Sequence, residues 1–188
     1  MKTKLILSAL AFAAAATVSH FAAAADGTIS FTGSITAQTC TVGGNGTASK
    51  DFTVTLPNVS SSVLATAGDV AGATPFSISL TGCSPDTGNV HTFFESGPTV
   101  DTATGHLIAA SGAGTASNVQ VGLLNADDGT EIKAGFADAS QNSHSVPLVA
   151  GSGSDGSATM RYIARYVATG AATGGAVNSS VQYTIVYP

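Results

Sequence analysis

Apolar and polar residues alternate in six stretches of the chain, which is the period-two pattern of β-strands with one face on a core. The last stretch, VNSSVQYTIVYP, ends the sequence. The other five begin at Thr28, Asp51, Pro75, Ser117 and Met160, and they read TISFTGSI, DFTVTL, PFSISL, SNVQVGLL and MRYIARYV. We therefore expect at least six strands.

Turn-forming residues separate these stretches. The clearest clusters are Gly43–Gly46, Ser84–Asp86, Asp127–Gly129 and 151–156. In LLNADDGTEI, the Asp-Gly pair predicts the turn of a hairpin. Helical signals are weak, and SSVLATAGDVAGA is expected to form one short turn at most. Short strands with regular turns predict a single all-β domain, a sandwich of the immunoglobulin type.

Residues 1–25 have the pattern of a secretory signal peptide. Two lysines precede the apolar run Leu5–Val18, and small residues follow it in HFAAAAD. This run is shorter than a membrane-spanning helix requires, so a membrane anchor is the less favoured alternative. We expect cleavage after Ala25 to leave a domain of residues 26–188. Cleavage one or two residues earlier, or after Ala16, is the alternative.

The charge of residues 26–188 excludes one class of partner. Their basic residues are Lys50, Lys133, Arg161 and Arg165, against eleven acidic residues, so the formal net charge is −7. Four scattered cations do not make a basic surface, and nucleic-acid binding is not expected. The chain is 44% hydrophobic, which favours a folded domain over a disordered one although only 9% of its residues are charged.

The two cysteines, Cys40 and Cys83, are an even pair in a chain that we expect to be exported. Such a pair predicts a disulfide in an oxidising compartment. The bridge would close a loop of about 44 residues and contribute roughly 4 kcal/mol to stability in the chain-entropy model. Free thiols and a two-cysteine metal site are the alternatives, although no histidine lies at ligand spacing.

Catalytic and metal-binding patterns are absent from the sequence. His91, His106 and His144 each stand alone and form no zinc motif. No G-x-S-x-G motif is present. The segment Asn125–Glu131 lacks the spacing of a calcium loop and is better explained as a hairpin. We therefore expect no cofactor, no metal and no small-molecule substrate, and we do not interpret the chain as an enzyme.

Four segments occur in an informative order. DGTISFTGSITAQTC leads to the first cysteine, FSISLTGCS contains the second, and SNVQVGLLNADDGTEI forms the hairpin region. The closing segment IARYVATGAATGGAVNSSVQYTIVYP contains Arg165 and Tyr166, has Gly175 fourteenth from the C-terminus and has Tyr187 as the penultimate residue. Over essentially the whole chain, this order resembles the subunits of chaperone–usher fimbriae, and specifically the type 1 fimbrial major pilins.

The resemblance implies an incomplete immunoglobulin-like sandwich that lacks its seventh strand and is open along a groove beside the last strand. It implies that a periplasmic chaperone lends a strand to this groove. At the outer-membrane usher, the N-terminal segment of the next subunit then replaces the chaperone, a mode of β-augmentation. The partners implied are the chaperone, the usher, and other copies and related pilins in a linear polymer.

The function implied is that of a structural subunit of a surface fimbria, exported through the periplasm, which polymerises by donor-strand exchange and supports cell adhesion. A fimbrial tip adhesin or a minor pilin that binds host glycans is the alternative. Adhesins of this system usually carry a separate binding domain, and residues 26–188 hold one domain. The chain also has no tryptophan to form a sugar platform. A small exported hydrolase is the least favoured alternative.

The resemblance also implies the site residues. The donor region lies within residues 26–39, and its donor-strand residues are Ile29, Phe31, Gly33 and Ile35. The acceptor groove and chaperone contact comprise Gly175, Val181, Tyr183, Ile185 and Tyr187. Only two residues precede TISF if cleavage follows Ala25, a shorter leader than many family members have, so the donor register is left open. Pro188 replaces the polar residue usual at the end, where proline is tolerated.

Overall fold

The computed structural model describes residues 27–35, 37–152 and 155–188. The predicted signal peptide and its cleavage site lie outside the described residues. The chain divides into two compact units, Met1–Ile35 and Thr36–Pro188. Of the helices described, none has the length and apolar character needed to cross a membrane.

Within the described residues, ten strands form two antiparallel sheets in the second unit. The strands are β1 (Thr39–Gly44), β2 (Val70–Ser84), β3 (Asn89–Phe94), β4 (Leu107–Ile108), β5 (Val119–Asn125), β6 (Glu131–Ile132), β7 (Val146–Pro147), β8 (Val149–Ala150), β9 (Gly156–Ala168) and β10 (Tyr183–Val186). The larger sheet has the order β1-β2-β9-β5-β4, with β6 beside β5 and β8 beside β9, and the smaller has the order β10-β3-β7. A 3-10 helix, Ser61–Leu64, and the short helix α1, Asp138–Gln141, complete the elements.

The core lies between the two sheets, and alternation along β2 and β9 supplies its centre. Phe76 pairs with Tyr162 and Ile78 with Met160 across the two strands. Their side chains are buried because successive residues of a strand point to opposite faces. The Tyr162 ring lies 5.4 Å from the ring of Phe76 and 5.4 Å from that of Phe94 in the opposite sheet. These three rings join the layers.

The predicted disulfide is confirmed. Cys40 of β1 is bonded to Cys83 of β2, and Cys83 is fully buried. The bridge joins two neighbouring strands at the edge of the larger sheet. The alternatives of free thiols and a two-cysteine metal site are therefore excluded for this pair.

The hairpin prediction is also borne out in the backbone. β5 pairs with β6, with Leu123 opposite Ile132 and Leu124 opposite Glu131. Gly129 at the turn has φ +73°, a conformation that favours glycine. The stretch SSVLATAGDVAGA forms one 3-10 helix, in agreement with the weak helical signal, and its last residues belong to β2.

Two of the six expected strands are not strands in the structure. DFTVTL has alternating exposed and half-buried residues but joins no ladder among the described residues, and TISFTGSI has no regular secondary structure where it is described. The closing strand is shorter than its pattern, since β10 covers only Tyr183–Val186. Alternation indicates which side chains face a core, whereas a strand also requires a neighbour for its backbone hydrogen bonds.

Candidate functional site

An open cavity of about 1070 Å³ runs along β10, and we call it the groove. Its floor consists of apolar side chains from β2, β4, β5 and β9, namely Phe76, Ile78, Leu107, Val121, Leu123 and Ala164. One wall is formed by residues 50–54 and 56, and the other by residues 177–185 and 187. The groove therefore exposes the interior of the sandwich between two extended segments.

The C-terminal wall has an open backbone edge. β10 pairs with β3 alone among the described strands, with Tyr183 opposite Phe94 and Ile185 opposite Thr92. The amide of Glu95 donates to the carbonyl oxygen of Gln182 at 2.8 Å, so the backbone groups of Gln182 point towards β3. Because alternate residues point to opposite edges, the backbone groups of Tyr183 and Ile185 face the groove. Their side chains pack against the core.

The opposite wall has the same alternation without a ladder. Phe52, Val54 and Leu56 are half-buried and pack against the core, whereas Thr53 and Thr55 are exposed. Within the described residues, this segment pairs with no strand. On the side of the groove, both walls thus have alternating side chains and no strand partner among the residues that the structure describes. A segment between them could hydrogen-bond to both.

The groove is bridged near Lys50, at one end of its first wall. The Tyr183 hydroxyl donates a hydrogen bond to the carbonyl oxygen of Lys50 at 2.7 Å. The Phe52 ring lies 6.3 Å from the Tyr183 ring. Partial burial, and secondarily the charge of Asp51, raises the pKa of the Tyr183 phenol, so this hydroxyl is a neutral donor at physiological pH. Burial likewise raises the pKa of Tyr187.

At its other end the groove adjoins a second cavity of about 360 Å³. The two cavities share six lining residues, namely Thr53, Val54, Leu56, Tyr166, Val177 and Asn178. The second cavity continues along residues 58, 59, 61 and 64 and along residues 172–176. The hydrogen bond between Tyr183 and Lys50 therefore crosses one end of the groove, and the second cavity lengthens the groove at the other end.

The predicted acceptor residues divide between the two cavities. Val181, Tyr183, Ile185 and Tyr187 line the groove. Gly175 does not line the groove and lines the second cavity instead. A Cβ atom at Gly175 would overlap the backbone of Thr115 and Ala116, which approaches closely there.

We expect Gly175→Ala to lower the free energy of unfolding by about 1–3 kcal/mol, because the methyl group must displace backbone rather than a flexible side chain. Chemical denaturation of the purified chain measures the change. Gly174→Ala is the matched control, since a Cβ atom there would meet no described atom within 4 Å. Equal stability of the two variants would contradict the close approach as the reason for glycine at 175.

The predicted donor residues lie in the first unit, which is described by itself. Ile29 is 79% exposed, Phe31 is 89% exposed and Ile35 is 100% exposed. Gly33 occupies the remaining position of the alternating row. Large apolar side chains with this much exposure are unusual in soluble chains unless a partner covers them.

The histidines, isolated in the sequence, are paired with carboxylates in the structure. His91 Nε2 lies 2.7 Å from Asp138 Oδ1, and His106 Nε2 lies 2.9 Å from Glu131 Oε1. Ligand atoms of Asp127, Asp128 and His144 lie within 4.8 Å of one another.

The group of Asp127, Asp128 and His144 at the β5–β6 turn carried no sequence signal. His144 is 17 residues from Asp127, so no motif spacing marks the contact. The hydrogen bond from His144 lowers the pKa of Asp127, and that from Thr130 lowers the pKa of Asp128. Both carboxylates thus have partners within the protein, and they tie the turn to the loop around His144.

Related proteins match most of the chain, including its closing segment. The family model described as "Type-1 fimbrial protein, A" matches residues 56–188. The major fimbrial subunit SMF-1 of Stenotrophomonas maltophilia is 52% identical over 165 residues, which cover 87% of this chain and 94% of that protein. The F17 fimbrial protein of Escherichia coli is 44% identical over 190 residues, which cover 99% and 98%.

Solved structures show the same fold at lower identity. A chain from the structure of a chaperone–usher pilus has a TM-score of 0.55 at 19% identity, over 87% of this chain and 96% of that one. The P pilus rod subunit PapA has a TM-score of 0.54 at 18% identity, over 79% and 99%. The prediction of an incomplete immunoglobulin-like sandwich with one disulfide is therefore confirmed. By sequence and fold, the chain belongs to the type-1 fimbrial protein family of chaperone–usher pilus subunits.

Proposed function

We propose that this chain is a structural subunit of a surface fimbria, in which the leading segment of one copy fills the groove of another. The polymer supports adhesion of the cell. The observation that carries the proposal is the groove itself, an opening into the core between two walls whose backbone edges lack partners. A relative that is 52% identical over most of both chains is named a major fimbrial subunit.

The groove has the chemistry of a strand-binding site. A strand placed between the walls would donate and accept backbone hydrogen bonds with Tyr183 and Ile185, which face the groove. Its alternate side chains would cover the apolar floor around Ile78, Val121 and Leu123. This combination of backbone pairing and side-chain pockets is β-augmentation. A helix would leave both wall edges without partners.

The leading segment has the complementary pattern. We assign Ile29, Phe31 and Ile35 as the side chains that enter the groove, with Gly33 in the same row. Burial of each large apolar side chain contributes about 1.5–3 kcal/mol. Backbone hydrogen bonds to the walls add to this stabilisation. The inserted segment also shields the apolar floor of the groove from water.

Assembly by this route has a direction. Donor and acceptor surfaces are different parts of the chain, so the contact is head-to-tail, and such contacts build open filaments when they do not close into a ring. Before assembly the groove must be covered, and we assign that role to a periplasmic chaperone that contacts Val181, Tyr183, Ile185 and Tyr187. An outer-membrane usher then exchanges the chaperone for the next copy or a related pilin.

The route begins with export directed by the signal peptide 1–25, whose removal leaves residues 26–188, and it ends at the cell surface. The test is to shear fimbriae from cells that produce the chain and to run them on SDS gels with and without acid boiling. We expect a ladder of multimers that collapses to one band after acid boiling. A monomer in both lanes, together with a soluble chain that needs no chaperone, would contradict the proposal.

A further inference from the structure

One end of the sandwich carries almost no charge. Three loops form it, at residues 57–69, 109–118 and 169–178, and their single charged residue is Asp69. We call this end the uncharged pole. The Asp69 carboxylate already accepts a hydrogen bond from the amide of Thr66 at 2.8 Å. This surface therefore lacks the charged side chains that normally keep a protein face solvated.

The opposite end differs in charge. Ala150 and Cys83 both pair with Gly156 at the start of β9, and the loop at residues 84–89 together with residues 150–152 and Asp155 carries two carboxylates and neither lysine nor arginine. We call this end the acidic pole. β1 begins there, since Thr39 lies opposite Ser84. The leading segment precedes β1 in the chain, so the connection to it enters the second unit at the acidic pole.

The uncharged pole is a rigid surface with exposed valines. The amide of Gly68 donates to Ala168 O at 2.8 Å, and the amide of Thr169 donates to Asn118 O at 3.0 Å, so the three loops are tied together. On this end Val59 is 36% exposed, Val63 is 51% exposed and Val70 is 46% exposed. A preorganised surface without charge loses little entropy when a partner covers it, and it desolvates at lower cost than a charged surface.

We propose that the uncharged pole is a docking face for the body of a second copy of this chain, the copy whose leading segment fills the groove. The proposal rests on the function proposed above. Val59 also lines the second cavity, which adjoins the unbridged end of the groove. The exposed valines are therefore continuous with the place where an incoming segment leaves the groove.

The short connecting chain keeps the two bodies close together. Gln38 belongs to the body, because its Nε2 atom donates to Pro85 O at the acidic pole at 2.7 Å. Only two residues separate Gln38 from Ile35, the last assigned donor residue. A fully extended chain spans about 3.3–3.6 Å per residue, so the acidic pole of the donor lies within roughly 11 Å of the groove end of the acceptor.

Charge favours this orientation over its reverse. The donor's acidic pole, with Asp86 and Asp155, meets a surface without carboxylates other than Asp69. Contact between two acidic poles would place like charges together, which disfavours that orientation. The Tyr183–Lys50 bridge also narrows the groove on the side away from the second cavity.

The test introduces charge at Val63, which lines neither cavity. Filaments of the full-length Val63→Glu variant are expected to dissociate in guanidinium about tenfold faster than wild type, because the new carboxylate faces the neighbour's acidic pole. Val63→Lys is expected to show a clearly smaller effect. A synthetic peptide of residues 26–38 should bind both variants and wild type equally, since the groove is unchanged.

Thr159→Glu is the matched control. Thr159 is also β-branched and exposed, but it lies near the start of β9, opposite Ser79 and outside the three loops of the uncharged pole. Its filaments should dissociate at the wild-type rate. If Val63→Glu fails to bind the peptide, Val70→Glu replaces it.

Peptide binding together with wild-type filament stability in both the Glu and Lys variants would overturn the docking face and leave the proposed function intact. An equal loss in the Glu and Lys variants would overturn the contact with the acidic pole. Failure of the wild-type chain to bind the peptide would instead overturn the proposed function.

Discussion

Phe31→Glu is expected to abolish polymerisation while the groove stays able to accept a strand. The Phe31 side chain is 89% exposed, so its replacement should not destabilise the subunit. In the proposed polymer the ring lies on the apolar floor of the groove. Substitution removes about 1.5–3 kcal/mol of burial and places a carboxylate among apolar side chains, which adds several kcal/mol more. Together these losses weaken each junction by roughly a thousandfold or more.

The measurement is the multimer ladder of sheared fimbriae on SDS gels. Thr32→Glu is the matched control, because adjacent residues of a strand point to opposite faces and Thr32 would face away from the floor. The control should give a normal ladder. A normal ladder from Phe31→Glu, or equal losses in both variants, would contradict the assignment of Phe31 as a donor residue.

Replacing both cysteines with alanine is expected to lower the free energy of unfolding by about 4 kcal/mol. The reason is that the bridge closes a long loop, since the two cysteines are 43 residues apart in the sequence. Without the bridge the unfolded chain gains conformational freedom. A domain whose core is open along a groove is expected to have a small free energy of unfolding. We therefore expect the Cys40→Ala, Cys83→Ala variant to unfold near growth temperature, as followed by circular dichroism.

Reduction supplies the control for this result. Dithiothreitol should destabilise the wild-type chain to about the level of the double variant and should leave the double variant unchanged. Both cysteines of the chain are in the bridge, so no other thiol can respond. Loss of stability on reduction without loss in the double variant would show that the thiols, rather than the missing bridge, are destabilising.

The site was only partly predictable from sequence. The family resemblance predicts Val181 and Ile185 as acceptor residues, and both residues line the groove in the structure. The opposite wall was missed, although DFTVTL was recognised as alternating. No sequence pattern distinguishes a strand with two neighbours from one with a vacant side, because backbone hydrogen bonding does not depend on side-chain type.

Other features depended on long-range contacts. Asp127 and His144 carried no signal because contacts between loops leave no fixed spacing. Gly175 is required by the backbone of Thr115 and Ala116, which is about sixty residues earlier in the chain. The family pattern identifies the position of Gly175 in the sequence. It does not reveal the close approach of Thr115 and Ala116.

By itself, the sequence determined the all-β class, the cysteine pair and the inward faces of β2, β5 and β9, because alternation and composition are local properties of the chain. Only the tertiary structure decided which backbone edges lack partners, where the groove opens and how the charged and uncharged loops collect at opposite poles. Those properties depend on which distant segments become neighbours, and they arise when the two sheets pack around the core.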